Sequence, residues 1–237
     1  MRAGPEPFDR DVELNEGYRY TTNAPLSSRL ANERLTDLTL ELVAVAGRAL
    51  LDVGCGDGTY TAELVRRGKP ARAVGVDPSP RAVEVATRNH PGVRFEVGDA
   101  AWLEATDERF DVAVARGVLH HADDPARLLR ATARVAPRIV VIEPNGWNPV
   151  LKVIERVSAY HRAHGERSWR SSVIDGWLRA AGYVPEERAY AGLVPFFCPA
   201  PAARLLKAVE PLVESSGPFA RAALAVYAVS AVKKVTP

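Results

Sequence analysis

The feature that most constrains the fold of this chain is an alternation of short apolar runs with longer amphipathic segments between residues 49 and 142. Each run has four or five residues, and most segments between the runs have the apolar spacing of a helix. A strand followed by a helix, repeated, is typical of a parallel sheet whose strands are joined by helical crossovers. The predicted strands are 49–53, 73–76, 93–97, 112–115 and 139–142, and the predicted helices are 58–67, 79–89 and 124–135.

The residues on either side of this alternation extend the predicted architecture. Residues 1–25 are rich in proline, glycine and charge and are expected to form an irregular arm. Residues 26–46 have a helical apolar period that Ser27 or Ser28 would cap and Gly47 would end. Beyond the fifth strand the predicted helices are 149–164, 171–181 and 200–214, and the predicted strands are 183–190 and 222–232. These last two strands are expected to pair at the edge of the same sheet.

Composition and charge narrow the class of protein. The chain has 31 basic and 29 acidic residues among 237, so it lacks the strong positive field of a dedicated duplex-binding surface. Cys55 and Cys198 do not have the spacing of a disulfide scaffold, a zinc site or a redox pair. The first twenty residues contain no apolar core typical of a secretory signal, and charges interrupt every later apolar run. We therefore expect a soluble, cytoplasmic protein.

A glycine-rich turn joins the first strand to the next helix. The sequence from residue 50 to 60 is LLDVGCGDGTY, so the acid Asp52 precedes glycines at 54, 56 and 58. A dinucleotide-binding turn would place its third glycine at position 59, which is a threonine here. A carboxylate at Asp52 would also repel a diphosphate, whereas it favours a ligand with positive charge. S-adenosylmethionine carries an ammonium and a sulfonium and has no diphosphate.

This turn resembles the first motif of the class I S-adenosylmethionine-dependent methyltransferases of small molecules, which reads acid-x-Gly-x-Gly-x-Gly. The resemblance covers roughly residues 48–145. It implies that the turn at Gly54, Cys55 and Gly56 packs under the methionine part of the cofactor. It also implies that Asp52 holds the cofactor's amino group, directly or through water.

Two further acids follow the next two predicted strands. Asp77, followed by Pro78, stands 25 residues after Asp52, where a carboxylate can accept hydrogen bonds from both ribose hydroxyls. For Asp99 the resemblance implies a bond to the adenine amino group, with the amide of Ala100 facing a ring nitrogen, although a helix N-cap explains this aspartate equally well. Because the carboxyl ends of parallel strands meet at one edge of a sheet, we expect the three acids to lie along that edge.

The segment after the fourth strand reads ARGVLHH from residue 115 to 121. It resembles the family segment that lines the path to the transferable methyl group, which implies that Arg116 contacts the cofactor mainly through its backbone. His120 or His121 is the candidate general base or hydrogen-bond partner of the acceptor, because an imidazole exchanges a proton near neutral pH. A packing or capping role is the alternative for either histidine.

Enclosing segments matter because methyl transfer is an in-line displacement that depends on alignment and on exclusion of water. In the amino-terminal arm, a tyrosine is expected to cover the methionine part of the cofactor and Arg29 to lie near its carboxylate; surface positions are the alternative. An apolar, aromatic acceptor pocket is expected after the fifth strand, with a helical lid that packs its own core as the alternative. The aromatic candidates for this pocket are Tyr160, Trp169, Trp177, Phe196 and Phe197. The arm candidates are Tyr18, Tyr20, Thr21, Thr22 and Arg29, and the acceptor-binding candidates are Glu143, Asn145, Trp147 and Tyr160.

These patterns together predict one α/β domain over residues 1–237. Its expected core is a Rossmann-like, doubly wound sheet of seven strands, mostly parallel with an antiparallel edge strand. The expected parts are an arm at 1–25, a cofactor-binding half at 26–145, and a helical lid with the acceptor region and final strand pair at 146–237.

The predicted activity is transfer of a methyl group from S-adenosylmethionine to a small-molecule acceptor, which leaves S-adenosylhomocysteine. No metal, nucleic-acid or membrane partner is expected, and His161 and His164 have no third ligand at a suitable spacing. An RNA or protein methyltransferase and a non-catalytic cofactor-binding module remain alternatives. The segment after the fourth strand lacks the Asn/Asp-Pro-Pro-aromatic sequence of base amino-methylating enzymes. Cys55 lies inside the turn, where it cannot act as the nucleophile of cytosine methylation.

Overall fold

The computed structural model describes residues 17–18, 20–21, 24–158 and 167–234. Within these ranges the strands are β1 Ala49–Val53, β2 Arg72–Asp77, β3 Arg94–Val97, β4 Val112–Arg116, β5 Arg138–Pro144, β6 Tyr183–Ala191 and β7 Val226–Lys233. They form one sheet in the order β3-β2-β1-β4-β5-β7-β6. The first five strands pair in parallel, and β7 pairs antiparallel with both β5 and β6. The predicted fold class is therefore confirmed, with β6 at the edge and the antiparallel β7 one position inside it.

Helices cover both faces of this sheet. They are α1 Leu26–Leu42, α2 Thr59–Gly68, α3 Pro80–Asn89, α4 Ala100–Ala105, α5 Pro125–Val135, α6 Pro149–Val157, α7 Ser171–Ala180, α8 Ala200–Glu214 and α9 Pro218–Ala223. α5 begins as the sequence predicts, because the side chain of Asp124 accepts a hydrogen bond from the Arg127 amide at 2.8 Å and Pro125 takes the first helical position. Across the described ranges, no helix is both long enough and apolar enough to cross a bilayer.

The alternating side chains of the central strands build the core on both faces. On one face, strand residues pack with residues of α4, α5 and α7, and on the other with residues of α1 and α2. Strands buried on both sides explain the nearly continuous apolar runs. The strand residues are Leu51, Val53, Ala113, Ala115, Ile139 and Val141 on the first face and Leu50, Val112, Val114, Val140 and Ile142 on the second.

The structure corrects the predicted ends of α1. The serines lie inside the helix, and both hydroxyls donate to the carbonyl oxygen of Phe196 at 2.7 Å, while Pro25 takes the N-cap position without a side-chain bond. The helix stops at Leu42 because Val43 adopts an extended conformation, which lets Val43 and Val45 pack into the core. The helical prediction up to residue 46 is therefore wrong.

Differences of more than two residues also concern one helix and two element ends. The short helix α4 has no sequence counterpart among the predicted elements. α9 occupies the start of the predicted strand 222–232, so β7 begins at Val226. α6 ends at Val157, and residues 159–164 of the predicted helix lie outside the described residues. The proposed division at residues 25 and 145 stays a prediction.

Candidate functional site

A cavity of about 630 Å³ lies at the carboxyl ends of the central strands, within the size range of small-molecule sites, roughly 300–1,000 Å³. Its wall follows the sheet order, from the ends of β2 and β1 to the ends of β4 and β5 and the start of β7. Residues of the amino-terminal arm and of α6 also line it. Open parallel sheets bind ligands at this edge, so the fold and the cavity agree.

The glycine turn after β1 forms one end of the cavity. Gly54, Gly56 and Gly58 all have a positive φ, of 74°, 55° and 77°. A Cβ at Gly54 would overlap Cγ2 of Val118, and a Cβ at Gly56 would lie 2.6 Å from Cε2 of Tyr18. These positions therefore need glycine for both conformation and space.

Asp52 lies inside this end of the cavity and is 1% exposed. The Thr61 hydroxyl donates to its Oδ2 at 2.5 Å. Burial raises the pKa of Asp52 to about 6, against the opposing effects of the Thr61 hydrogen bond and of the positive charge of Arg116. A cationic ligand beside this carboxylate would stabilise its charged form.

Asp52→Asn should separate stability from cofactor binding. Folding raises the pKa of Asp52 from 3.8 to about 6, so the folded protein holds this proton more tightly and its stability falls as the pH rises through that window. The neutral variant can still accept a hydrogen bond from Thr61. Its free energy of unfolding at pH 7 should exceed that of the wild type by up to roughly 3 kcal/mol. It should bind a cationic cofactor about tenfold more weakly, at a typical net value of ~1.4 kcal/mol for one such interaction.

Chemical denaturation and calorimetry between pH 5 and pH 8 would test both statements. In the wild type, affinity should fall as the pH drops below about 6, and Asp52→Asn should remove that dependence. A variant that is less stable at pH 7, or one that keeps the wild-type pH dependence of binding, would contradict the assignment.

Asp77, at the end of β2, also lines the cavity and is buried. Its Oδ2 accepts from the Gly56 amide at 2.9 Å, and its Oδ1 accepts from the Ser79 amide at 2.9 Å. This carboxylate therefore ties the end of β2 to the glycine turn and is held in a fixed orientation at the cavity wall. Pro78 lies beside it on the same wall.

The third predicted acid lies elsewhere. Asp99 is exposed, and its Oδ1 accepts from the Ala101 amide at 2.8 Å, so it is the N-cap of α4. Among the described residues that line the cavity, neither Asp99 nor Ala100 is present. The helix-cap alternative accounts for the contacts of this aspartate, and its contact with adenine stays a prediction.

The described part of the amino-terminal arm lies over the glycine turn. Oδ2 of Asp57 accepts from the Tyr18 amide at 2.8 Å and from the Thr21 hydroxyl, and the Tyr18 ring packs on Gly56. The Tyr20 ring meets Phe196 edge to face, with centroids 5.2 Å apart. Tyr18, Tyr20, Thr21 and Arg29 line the cavity, whereas Thr22 lies outside the described residues. Their contact with the cofactor stays a prediction.

Asp57 is the residue that sequence reasoning missed in this part of the site. Its replacement by alanine should release the arm and speed cofactor dissociation about tenfold, because loss of one such charged hydrogen bond costs about 1.5 kcal/mol or more. Thr21→Val, which removes one of the two bonds to the arm at nearly constant volume, should have a smaller effect. Stopped-flow displacement would measure both rates, and equal rates in the wild type and Asp57→Ala would rule out this anchoring role.

The side chain of Arg116, at the end of β4, contacts two neighbouring helices, whereas its backbone contact with the cofactor stays a prediction. The guanidinium lies 4.0 Å from the centroid of the Tyr60 ring and donates to Oδ1 of Asn32 at 2.6 Å. Burial lowers the pKa of this arginine. Its side chain thus connects β4 with α1 and α2 at the cavity wall.

His120 and Glu143 form a buried pair at the other end of the cavity. Nδ1 of His120 lies 2.7 Å from Oε2 of Glu143, and Oε1 of Glu143 accepts from the amides of Val118 and Leu119 at 2.8 and 2.7 Å. The His121 ring lies 3.9 Å from the His120 ring, and both histidines line the cavity. Glu143, predicted to bind the acceptor, therefore uses both oxygens to hold the 118–120 segment. The adjacent ends of β4 and β5 bring the pair together.

The structure places Asn145 and Trp147, two of the predicted acceptor-binding residues, away from the described cavity wall. Asn145 is fully buried; its amide donates to the carbonyls of Arg221 and Leu224, and its Oδ1 accepts from the Trp147 amide. The Cζ atoms of Arg170 and Arg221 lie 4.5 and 3.6 Å from the centroid of the Trp147 ring. Tyr160, His161 and His164 lie outside the described residues.

The wall on the acceptor side differs from the aromatic pocket that the sequence predicts. Trp169 and Trp177 pack on each other with centroids 5.2 Å apart and against the main core, and neither is part of the described cavity wall. Residues that sequence reasoning missed also line the cavity. They come from α6, from the segment before α7 and from the start of β7. They are Leu151, Glu155, Arg167 and Val226, whereas Phe196, one of the aromatic residues predicted for the acceptor pocket, lines the cavity as well.

Comparison with known proteins identifies the family. Residues 51–138 match a family described as "Methyltransferase domain". The chain is 33% identical over 169 residues to a trans-aconitate 2-methyltransferase of Methylobacterium nodulans, covering 65% of this chain and 66% of that protein. It is 28% identical to a ubiquinone biosynthesis O-methyltransferase of Pseudomonas entomophila, covering 60% and 67%. An uncharacterized 37.1 kDa protein in transposon Tn4556 of Streptomyces fradiae is 36% identical, covering 56% and 41%. The chain covers 41% of the Streptomyces protein and 66% of the Methylobacterium protein, which is less than two thirds of the length of either.

Two solved structures share the fold. A methyltransferase of Thermotoga maritima described as a possible histamine N-methyltransferase has a TM-score of 0.71 at 21% identity, covering 97% of this chain and 99% of that chain. The [4+2]-cyclase SpnF has a TM-score of 0.68 at 23% identity, covering 100% and 99%. The methyltransferase-domain match, the methyltransferase relatives and the shared fold show that this chain belongs to the class I S-adenosylmethionine-dependent methyltransferase family, as the motif at Asp52 predicts.

Proposed function

We propose that the chain binds S-adenosylmethionine in the cavity and transfers its methyl group to a small-molecule acceptor. The observation that carries this proposal is the arrangement of the cavity along one sheet edge. Asp52, the glycine turn and Asp77 line one end, and the His120–Glu143 pair lines the other.

The residues at the first end suit this cofactor. The buried carboxylate of Asp52 favours a positive group such as the cofactor's ammonium. The bare backbone of the glycine turn admits close approach of a ligand, and the carboxylate of Asp77 can accept from ribose hydroxyls. Arg29 would pair with the cofactor's carboxylate, and Tyr20 would cover the methionine part. Asp99 and Ala100 are not part of the described cavity wall, so adenine would have to extend beyond this wall to contact them.

The size of the cavity supports a small acceptor. Arm residues and residues of α6 both line it, and its volume is about 630 Å³, within the range of small-molecule sites. The formal charge of +2 also disfavours a polyanionic acceptor, because proteins that bind nucleic acids gain most of their affinity from many contacts between basic residues and phosphates. The displacement itself depends on holding acceptor and methyl group in line with water excluded.

Binding and turnover should be measured separately, because the cyclase SpnF shows that this fold accommodates another reaction. Calorimetry with S-adenosylmethionine and S-adenosylhomocysteine tests the first step. Formation of S-adenosylhomocysteine with panels of phenols, amines and carboxylic acids tests the second. Absence of binding would overturn the cofactor assignment, and binding without turnover on every panel would favour a non-catalytic module.

A further inference from the structure

We propose that His120 is a catalytic base positioned by Glu143, and that the acceptor is therefore a phenol or another weakly acidic hydroxyl on an apolar frame. This proposal rests on the proposed function, because it names the acceptor class for the same cavity.

The geometry assigns distinct roles to the two nitrogens of His120. Glu143 is fully buried, and its Oε2 lies 2.7 Å from Nδ1. A carboxylate at this distance accepts a hydrogen from Nδ1, which places the basic lone pair of the neutral ring on Nε2. The two backbone amides on Oε1 hold the carboxylate in place, so the ring orientation follows from the ends of β4 and β5.

A base is useful only for an acceptor that carries its proton at neutral pH. A carboxylic acid with a pKa near 4 is already ionised there, whereas a phenol with a pKa of about 10 is protonated. In the step, the acceptor oxygen forms a bond to the methyl carbon as the carbon–sulfur bond breaks, and the electron pair of that bond goes to sulfur. The hydroxyl proton passes to Nε2 of His120 and later to solvent. The resulting imidazolium is stabilised by the carboxylate of Glu143.

The wall near this pair favours a neutral acceptor over an ammonium. Apolar side chains from β5, α6, the loop after β6 and the start of β7 line this side of the cavity. They are Ile142, Pro144, Leu151, Phe196 and Val226. A protonated amine loses hydration against such a surface at high free-energy cost, whereas a phenol enters uncharged. The acceptor class therefore follows from the base and the apolar wall together.

Other charged and titratable groups on the same wall will modulate the proton affinity of His120. The ring centroids of His121 and His120 lie 3.9 Å apart, so a positive charge on His121 would disfavour a second positive charge on His120. Arg116 from the end of β4 has the same sign of effect, and Arg167 adds a positive charge from the lid side. Glu155 from α6 and Asp52 from β1 act in the opposite direction.

The test is a pH profile of kcat on phenols of graded acidity, for the wild type, His120→Gln and Glu143→Gln. With phenols of pKa near 10, His120→Gln should lose about a hundredfold in kcat and the rising acid limb, since general bases contribute roughly 10²–10⁴-fold. With 4-nitrophenol, which is largely ionised in the assay, the same variant should stay near the wild-type rate. Calorimetric affinity for S-adenosylmethionine should change less than threefold.

Glu143→Gln tests the positioning role. Its side-chain oxygen can still accept from the Val118 and Leu119 amides, but its amide group would donate to Nδ1 of His120 and impose the wrong tautomer. Nitrogen-15 NMR of the histidine rings should show the Nδ1–H form in the wild type and the Nε2–H form in this variant. His90→Gln is the matched control, because His90 caps α3 outside the cavity wall and its loss should leave all readouts unchanged.

The outcomes separate this proposal from the proposed function. Turnover of carboxylic acids or amines but no phenol, or equal losses on acidic and weakly acidic phenols in His120→Gln, would overturn the acceptor class while methyl transfer stands. Binding of S-adenosylmethionine without turnover of any panel member would overturn the proposed function, and the acceptor class with it.

Discussion

Replacing Asp77 with asparagine should weaken S-adenosylmethionine binding by roughly one to two orders of magnitude. In the wild type, the carboxylate accepts from the Gly56 and Ser79 amides and faces the cavity. The asparagine amide group can only donate, so one of these buried amides would lose its acceptor and one ribose hydroxyl would lose its charged partner. A hydrogen bond to a charged group contributes about 1.5–3 kcal/mol, which gives the expected range for the ribose hydroxyl. The lost bond to a buried amide lowers the stability of the free and the bound protein alike.

Asp111→Asn provides a matched control for this experiment. Asp111 directly precedes β4, and its Oδ2 accepts from the Ala49 amide at 2.7 Å, at the opposite edge of the same sheet from the cavity. The control changes the net charge equally and should leave the dissociation constant within a factor of two. A dissociation constant for Asp77→Asn within threefold of the wild type would refute the role of this acid in cofactor binding.

Gly54→Ala should abolish cofactor binding and lower the free energy of unfolding by more than the cost of backbone strain alone. Alanine in the left-handed conformation costs roughly 1–2 kcal/mol, and Gly54 has a φ of 74°. The added Cβ would also overlap the side chain of Val118, whose amide donates to Glu143. Relief of this overlap has to move either the glycine turn or the 118–120 segment, and both form the cavity wall.

Gly47→Ala separates strain from overlap. Gly47 has a similar φ of 68°, and a Cβ there would meet no heavy atom within 4 Å, so this variant should lose only the strain of about 1–2 kcal/mol. Its cofactor affinity should equal that of the wild type. The double variant Gly54→Ala with Val118→Ala should regain part of the stability lost in Gly54→Ala. Equal destabilisation by Gly47→Ala and Gly54→Ala, measured by chemical denaturation, would contradict the packing argument.

The fold and one end of the site were predictable because they depend on local pattern. A strand, a glycine turn and a helix follow one another directly in the chain, so the spacing of Asp52 and the glycines reports their geometry without knowledge of any distant contact. The same holds for the cap of α5, where Asp124 bonds an amide three residues ahead.

Residues far apart in sequence were harder to place. The serines at the start of α1 looked like helix caps, but they bind the Phe196 carbonyl, which is 168 or 169 residues away. Asn145 follows β5 at the ligand-binding edge, yet the carbonyls of Arg221 and Leu224 take its amide inside the protein. A polar side chain bonds the buried partner that lies nearest to it. For Ser27, Ser28 and Asn145 that partner is set by how distant segments of the chain pack, which local spacing does not report.

The sequence by itself determined the sheet, the glycine turn and the acids Asp52 and Asp77 at its edge, since strand periodicity and residue spacing act over a few residues. Only the tertiary structure decided that Asp57 anchors the arm and that Glu143 holds His120. Those contacts join residues 39 and 23 positions apart, and they exist because the sheet order places β4 beside β5 and leaves the glycine turn open to the arm.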